Sequence, residues 1–321
     1  MRWNSSGLAI DDADGRLHPV AFLDAVLRGV GQVMLQNNSF TGLIFLAGIS
    51  WHSVLYGLAT LIGAAVGTAT AVLLDADRSD VRAGLFGFNG ALVGVALVVF
   101  LEPNVLTWIC VVLGAACSTV AMAALLQLFA ASRLPALTAP FVVTTLCFVL
   151  AASRFAAVLA TDARPIAGLP GAATVEGVVS TSTVAHGLAS GVAQVFLQDN
   201  VITGALFALG LLVSSSVACL AALAGSLAGL LLGWALGAGE PALRSGALGF
   251  NGVLTAIALS AAYAPSVTSL AYVATAVALA TVLSATLSAA LQPMGVPALT
   301  APFVLVVWVF VAAAPRFSRL L

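Results

Sequence analysis

Thr138 and Thr300 each lie between two prolines five residues apart, Pro135 and Pro140 in the first case, Pro297 and Pro302 in the second. The nonapeptides around them, 134–142 and 296–304, agree at eight of nine positions. A threonine hydroxyl can accept one hydrogen bond while donating another. Each proline removes an N–H donor and leaves nearby carbonyl oxygens unpaired, so the segment offers a line of acceptors inside an apolar run. Gln32 and Gln194 add amides that carry both donors and an acceptor. Phe88 and Leu92, like Phe250 and Leu254, are four residues apart and share one face in a helix. Apolar plates beside an oxygen-lined edge suit a small, neutral, planar molecule rich in N–H groups. The competing reading of the threonines is back-bonding to the i−4 carbonyl, and that of Gly87, Asn89, Gly90 and Asn251 is close helix packing.

The elements that must position these groups are membrane helices. The 321 residues are 61% hydrophobic and 7% charged, with a mean hydropathy of +1.14. A water-facing surface needs far more charge, about 25% in soluble domains. The runs are apolar on every side, unlike the alternating strands of a transmembrane barrel. The expected fold is therefore an all-α polytopic membrane protein. Arginine supplies all 11 basic residues, with no basic cluster to bind nucleic acid. The cysteines Cys110, Cys117, Cys147 and Cys219 stand singly, read as small core residues, and no metal or cofactor is expected. The polar leader, with Asp11, Asp12, Asp14 and Arg16, lacks the apolar core of a signal peptide. Charged residues keep to loops and segment ends, so neither a proton relay nor an enzyme is expected.

One offset relates the two halves of the chain. Gln32 and Gln194, Phe88 and Phe250, and Thr138 and Thr300 are each 162 residues apart. The segments 31–42 and 193–204 agree at seven of twelve positions, and 84–92 and 246–254 at six of nine. Chance similarity among apolar runs would not keep Gln, Asn, Thr and Pro at one spacing. The expected organisation is a polar leader (1–19), a first transmembrane repeat (20–160), a linker (161–182), a second repeat (183–315) and a tail (316–321). Helix breaks are expected at Trp51-His52-Ser53 and at the polar knots Gln36-Asn37-Asn38 and Gln198-Asp199-Asn200. Apolar runs at 83–101 and 135–159 read as spans. Arg2 and Arg16 at one end, with Arg316 and Arg319 at the other, fit two cytoplasmic termini and inverted repeats.

Three paired motifs, Gln-Val-x-x-Gln-x-Asn, Gly-Phe-Asn-Gly-x-Leu and Pro-Ala-Leu-Thr-Ala-Pro-Phe, make the chain resemble the urea transporter family, bacterial branch. The resemblance covers nearly the whole length. It implies two inverted repeats of about five transmembrane helices plus one re-entrant half-helix each, around a central pore. It further implies a homotrimer in the cell (inner) membrane, embedded in lipid, passing urea passively. Gln32 and Gln194 would stand at the mouths of the filter and Thr138 and Thr300 at its constriction. Val33, Leu35, Phe88 and Leu92, with Val195, Leu197, Phe250 and Leu254, would form the plates. The chain departs from the family where Ser39 and Val201 replace a proline after the knot. A sodium-coupled carrier for another small neutral solute is the alternative, since inverted repeats also build such carriers.

Overall fold

A computed structural model describes residues 2–4, 7–9, 18–171, 176–318 and 320. Asp11, Asp12, Asp14, Arg16 and Arg319 lie outside them. A short antiparallel hairpin, β1 (Arg2–Asn4) and β2 (Gly7–Ala9), precedes the helices. The first half then runs α1 (Pro19–Gln32), α2 (Ser39–His52), α3 (Val54–Leu73), α4 (Arg78–Arg82), α5 (Phe88–Phe100), α6 (Val105–Phe129) and α7 (Ala139–Ala152). The second half runs α8 (Thr181–Ala193), α9 (Val201–Ser214), α10 (Ser216–Ala235), α11 (Glu240–Arg244), α12 (Phe250–Ala262), α13 (Val267–Leu291) and α14 (Ala301–Ala313). From α2 to α6 both ends of every helix recur 162 residues later in α9 to α13.

Polar side chains at the expected breaks start these helices. Asn38 Oδ1 accepts from the N–H groups of Phe40 and Thr41 at 2.9 and 3.2 Å and opens α2. Asn200 Oδ1 accepts from Thr203 N–H at 3.0 Å and opens α9. Ser53 caps α3 through Tyr56 N–H, so Trp51-His52-Ser53 is a true helix break. The runs read as spans at 83–101 and 135–159 are helical over a shorter stretch. The chain at 83–87 is a turn, and Pro135 and Pro140 hold α7 back to Ala139. Cys219 is buried, but Cys117 and Cys147 are exposed, against the reading of all four cysteines as core residues. In a membrane protein an exposed thiol among apolar neighbours meets hydrocarbon rather than water.

Among the described residues, four helices are long and apolar enough to cross a membrane by themselves: α3, α6, α10 and the stretch Val267–Met294. The segment Thr181–Phe196 with α9 adds a fifth if that pair, bent by 74°, is one span. The other apolar helices are shorter than the roughly 20 residues a full crossing needs.

The chain forms two compact units. The first comprises 1–128, 140–164 and 209–214, the second 129–139, 165–208 and 215–321. In the first, Met34, Phe45, Ile49, Leu92, Leu97 and Phe141 are fully buried; in the second, Phe196, Phe207, Leu230 and Phe303 are. Glycines bring backbones together in both. A Cβ on Gly63 would lie 2.1 Å from Gly90 O, and one on Gly225 2.4 Å from Gly252 O. No other residue permits α3 against α5, or α10 against α12, at that spacing.

Candidate functional site

The first paired motif ends α1 and α8 in a tight turn. Leu35 donates its N–H to Gln32 O at 2.9 Å, and Leu197 donates to Gln194 O at 2.9 Å. Both leucines are left-handed, with φ of +62° and +58°. This position normally takes glycine, and a branched side chain there costs about 1–2 kcal/mol. Leu137 and Leu299, in the proline-bracketed motif, repeat the feature at +52° and +51°. Strain of this kind gathers at ligand clamps and active sites.

Gln32 and Gln194 are half-buried at these turns. Gln32 Nε2 donates to Ala83 O at 2.9 Å, and Gln194 Nε2 donates to Ser245 O at 3.1 Å. A carbonyl can only accept, so these contacts fix the amide orientation. Each glutamine is held by its nitrogen and has its oxygen available as an acceptor.

The second motif opens α5 and α12. Phe88 is 4% exposed and Phe250 is half-buried, while Val33, Leu92, Val195 and Leu254 are at most 1% exposed. Leu35 and Leu197 remain half-open. In the first unit α1 meets the turn before α5 through Gly29 and Gly87, where an added Cβ would lie 3.1 Å from the opposing Cα. Gln32, Val33 and Leu35 thus sit on the turn that follows a helix packed against the start of the helix carrying Phe88 and Leu92.

The third motif brings the two threonines together within the second unit. Thr138 Oγ1 and Thr300 Oγ1 are 2.6 Å apart, 2% and 3% exposed. Their hydroxyls bond each other, so back-bonding to the i−4 carbonyl is not their arrangement. Trp308 Nε1 on α14 donates to Pro135 O at 2.8 Å and ties the Thr138 turn to that helix.

Sequence reasoning singled out neither Trp308 nor Arg28 as a contributor, and weighed Asn89 and Asn251 against close helix packing. Trp308 has no counterpart, since residue 146 is leucine. Asn89 and Asn251 accept from backbone N–H groups of Phe141 and Phe303 at 3.0 and 3.2 Å. In α1, Arg28 pairs with Asp24 at 2.6 Å and donates to Asn37 Oδ1 at 2.8 Å. The i, i+4 spacing of Asp24 and Arg28 was a visible signal for that pair. No group of His, Cys, Asp and Glu among the described residues could hold a metal ion.

Apolar helices of spanning length, uncharged polar groups on strained turns and two facing threonines define a multi-pass membrane protein of the transporter class. Residues 23–315 match the family described as urea transporter. Among curated relatives, Urea transporter 1 of Rattus norvegicus is 34% identical over 242 residues, 74% of this chain and 62% of that protein. Urea transporter 1 of Ovis aries is 31% identical over 294 residues, 90% of this chain and 76% of that protein. The chain belongs to the urea transporter family.

Proposed function

We propose that the protein is a passive, channel-type urea transporter. The observation that carries the reading is the Thr138–Thr300 hydroxyl pair at 2.6 Å, taken with the family membership. Urea is neutral and planar and presents N–H groups and one carbonyl. Gln32 and Gln194 offer it amide oxygens on entry and exit, and the threonines offer the central polar contact. Val33, Leu35, Phe88, Leu92, Val195, Leu197, Phe250 and Leu254 act as plates that exclude water and ions. An uncharged path asks for no change of protonation, which agrees with passive flow. Two inverted repeats, each with about five spans and a half-helix, a homotrimer in the lipid of the inner membrane, and cytoplasmic termini complete the proposal.

Purified protein in liposomes should accelerate urea equilibration in stopped-flow light scattering, independent of pH and sodium gradients. No acceleration over protein-free liposomes would end the urea reading, and a requirement for sodium would favour a coupled carrier. Thr138→Val and Thr300→Val preserve shape and remove a hydroxyl. Each should slow urea flux about tenfold, the equivalent of one buried hydrogen bond, with the assembled protein intact. Wild-type flux in both would reduce the threonines to packing.

A further inference from the structure

Thr300 occupies the N-cap position of α14, where a threonine ordinarily spends its hydroxyl on the N–H of the second or third helical residue. It makes no such cap. Two features explain why. The second helical residue is Pro302, which has no N–H, and the N–H of the third, Phe303, already donates to Asn251 Oδ1 at 3.2 Å. Asn251 is 1% exposed and sits on α12. The same arrangement recurs in the first half of the chain. Thr138 precedes Ala139, the first residue of α7; Pro140 is second; Phe141, third, donates its N–H to Asn89 Oδ1 at 3.0 Å.

We propose that Asn89 and Asn251 are surrogate caps: by taking the one orphan N–H that each threonine would otherwise satisfy, they release the Thr138 and Thr300 hydroxyls for the substrate path. Asn251 goes further and straddles its threonine. Its Nδ2 donates to Leu299 O at 3.3 Å and to Ser284 Oγ at 3.0 Å, so one amide grips the chain on both sides of Thr300. This holds the left-handed Leu299 in place and aims the hydroxyl away from its own helix. The coupling gives the Phe-Asn-Gly and Thr-Ala-Pro-Phe motifs a physical reason to occur together, twice: the asparagine of one completes the cap of the other. Asn89 and Asn251 are positioning residues that act through the threonines.

The inference rests on the threonines lining the urea path, and the test separates the two claims. Wild-type flux above protein-free liposomes tests the path. With that flux present, Asn251→Leu removes the acceptor, and Thr300 should turn back to cap Phe303, lowering urea flux about tenfold. Adding Thr300→Val to Asn251→Leu should cost almost nothing more, because both changes remove the same hydroxyl from the path. Asn251→Asp keeps an acceptor for Phe303 N–H but loses the donor to Leu299 O and buries a charge, so it should preserve the cap and still lower flux, by less than Asn251→Leu does. Independent, multiplicative losses in the double variant, or wild-type flux in Asn251→Leu, would overturn the proposal. If Asn251→Leu does not fold, Asn89→Leu alone and combined with Thr138→Val decides in the same way, and independent, multiplicative losses there would overturn the proposal. A readout without urea is the thermal midpoint in detergent. Thr138→Val should lower it in the wild type, where Thr300 bonds Thr138, and change it little in the Asn251→Leu background, where Thr300 has turned to its own helix; equal shifts would overturn the surrogate-cap role whether or not urea passes.

Discussion

The turn around Leu35 and the turn around Leu197 share one backbone and satisfy their polar groups differently. Both follow a helix, both place a leucine at a φ near +60°, and both anchor a glutamine nitrogen on a carbonyl 51 residues ahead. Around that common frame the side chains diverge. Gln36 Nε2 donates to Met34 O at 2.8 Å, whereas its counterpart Gln198 is fully buried with no hydrogen bond to either amide atom among the described residues. Arg28 and Asp24 brace Asn37 in the first half; in the second, Ser190 Oγ donates to Asp199 Oδ1 at 2.8 Å. Asn89 Nδ2 meets Met122 Sδ at 3.7 Å, where Asn251 meets Ser284 Oγ at 3.0 Å. Backbone geometry is set by the motif residues that both copies keep. The bonds around it are set by positions free to differ.

Substitutions that attack the shared frame should therefore act alike in both halves. Gly84 and Gly246 have φ of +77° and +73°, and a Cβ on them would lie 2.3 and 2.2 Å from the backbone nitrogens of Gly29 and Gly191. Backbone cannot yield as a flexible side chain can. Gly84→Ala and Gly246→Ala should each cost about 2–4 kcal/mol through left-handed strain and overpacking. Their apparent melting temperatures in detergent should fall together. A tolerant half would break the equivalence of the two frames.

Substitutions at the shared glutamines whose bonding differs should have opposite signs. Gln198→Leu removes a buried amide that gains no bond and should raise stability by about 1–3 kcal/mol. Gln36→Leu breaks the bond to Met34 O and should lower it by about 1 kcal/mol. Thermal unfolding of the two purified variants checks both. A loss in Gln198→Leu would mean that the amide is used, and urea flux in the same variant would say whether transport uses it.

Much of this arrangement was legible in the chain. Thr138, Thr300, Gln32 and Gln194 stood out because polar residues are few in a membrane chain and these recur at one offset. The breaks at Ser53 and Asn38 were visible for the same reason, since helix caps must be polar. The left-handed leucines were not legible: leucine is a strong helix former, and only tertiary packing holds Leu35 or Leu299 at positive φ. Nor was the partner of Asn251, because Phe303 lies 52 residues away and a backbone N–H leaves no mark in a sequence. Trp308 escaped because a repeat-based reading looks for what is duplicated.

The smallest expected effect lies outside the helices of spanning length, at the short helices α4 and α11. Asp77 caps α4, its carboxylate accepting from Ser79 Oγ and from the N–H groups of Ser79 and Asp80. Those bonds, the Ser79 hydroxyl first, hold its pKa below the ordinary 3.8. The corresponding residue before α11 is Gly239, which has no side chain to cap with. A lowered folded pKa means that the cap contributes in full above the unfolded value near 3.8 and is lost as pH falls through the folded value. Amide hydrogen exchange at Ser79 and Asp80, corrected for intrinsic rates, should therefore speed up on acidification below that point. Exchange at the start of α11 should not respond. Asp77→Asn keeps an acceptor without the charge and should remove the pH dependence while preserving most of the protection. Equal acid sensitivity at both helices would show that the carboxylate of Asp77 is not what makes α4 respond to pH.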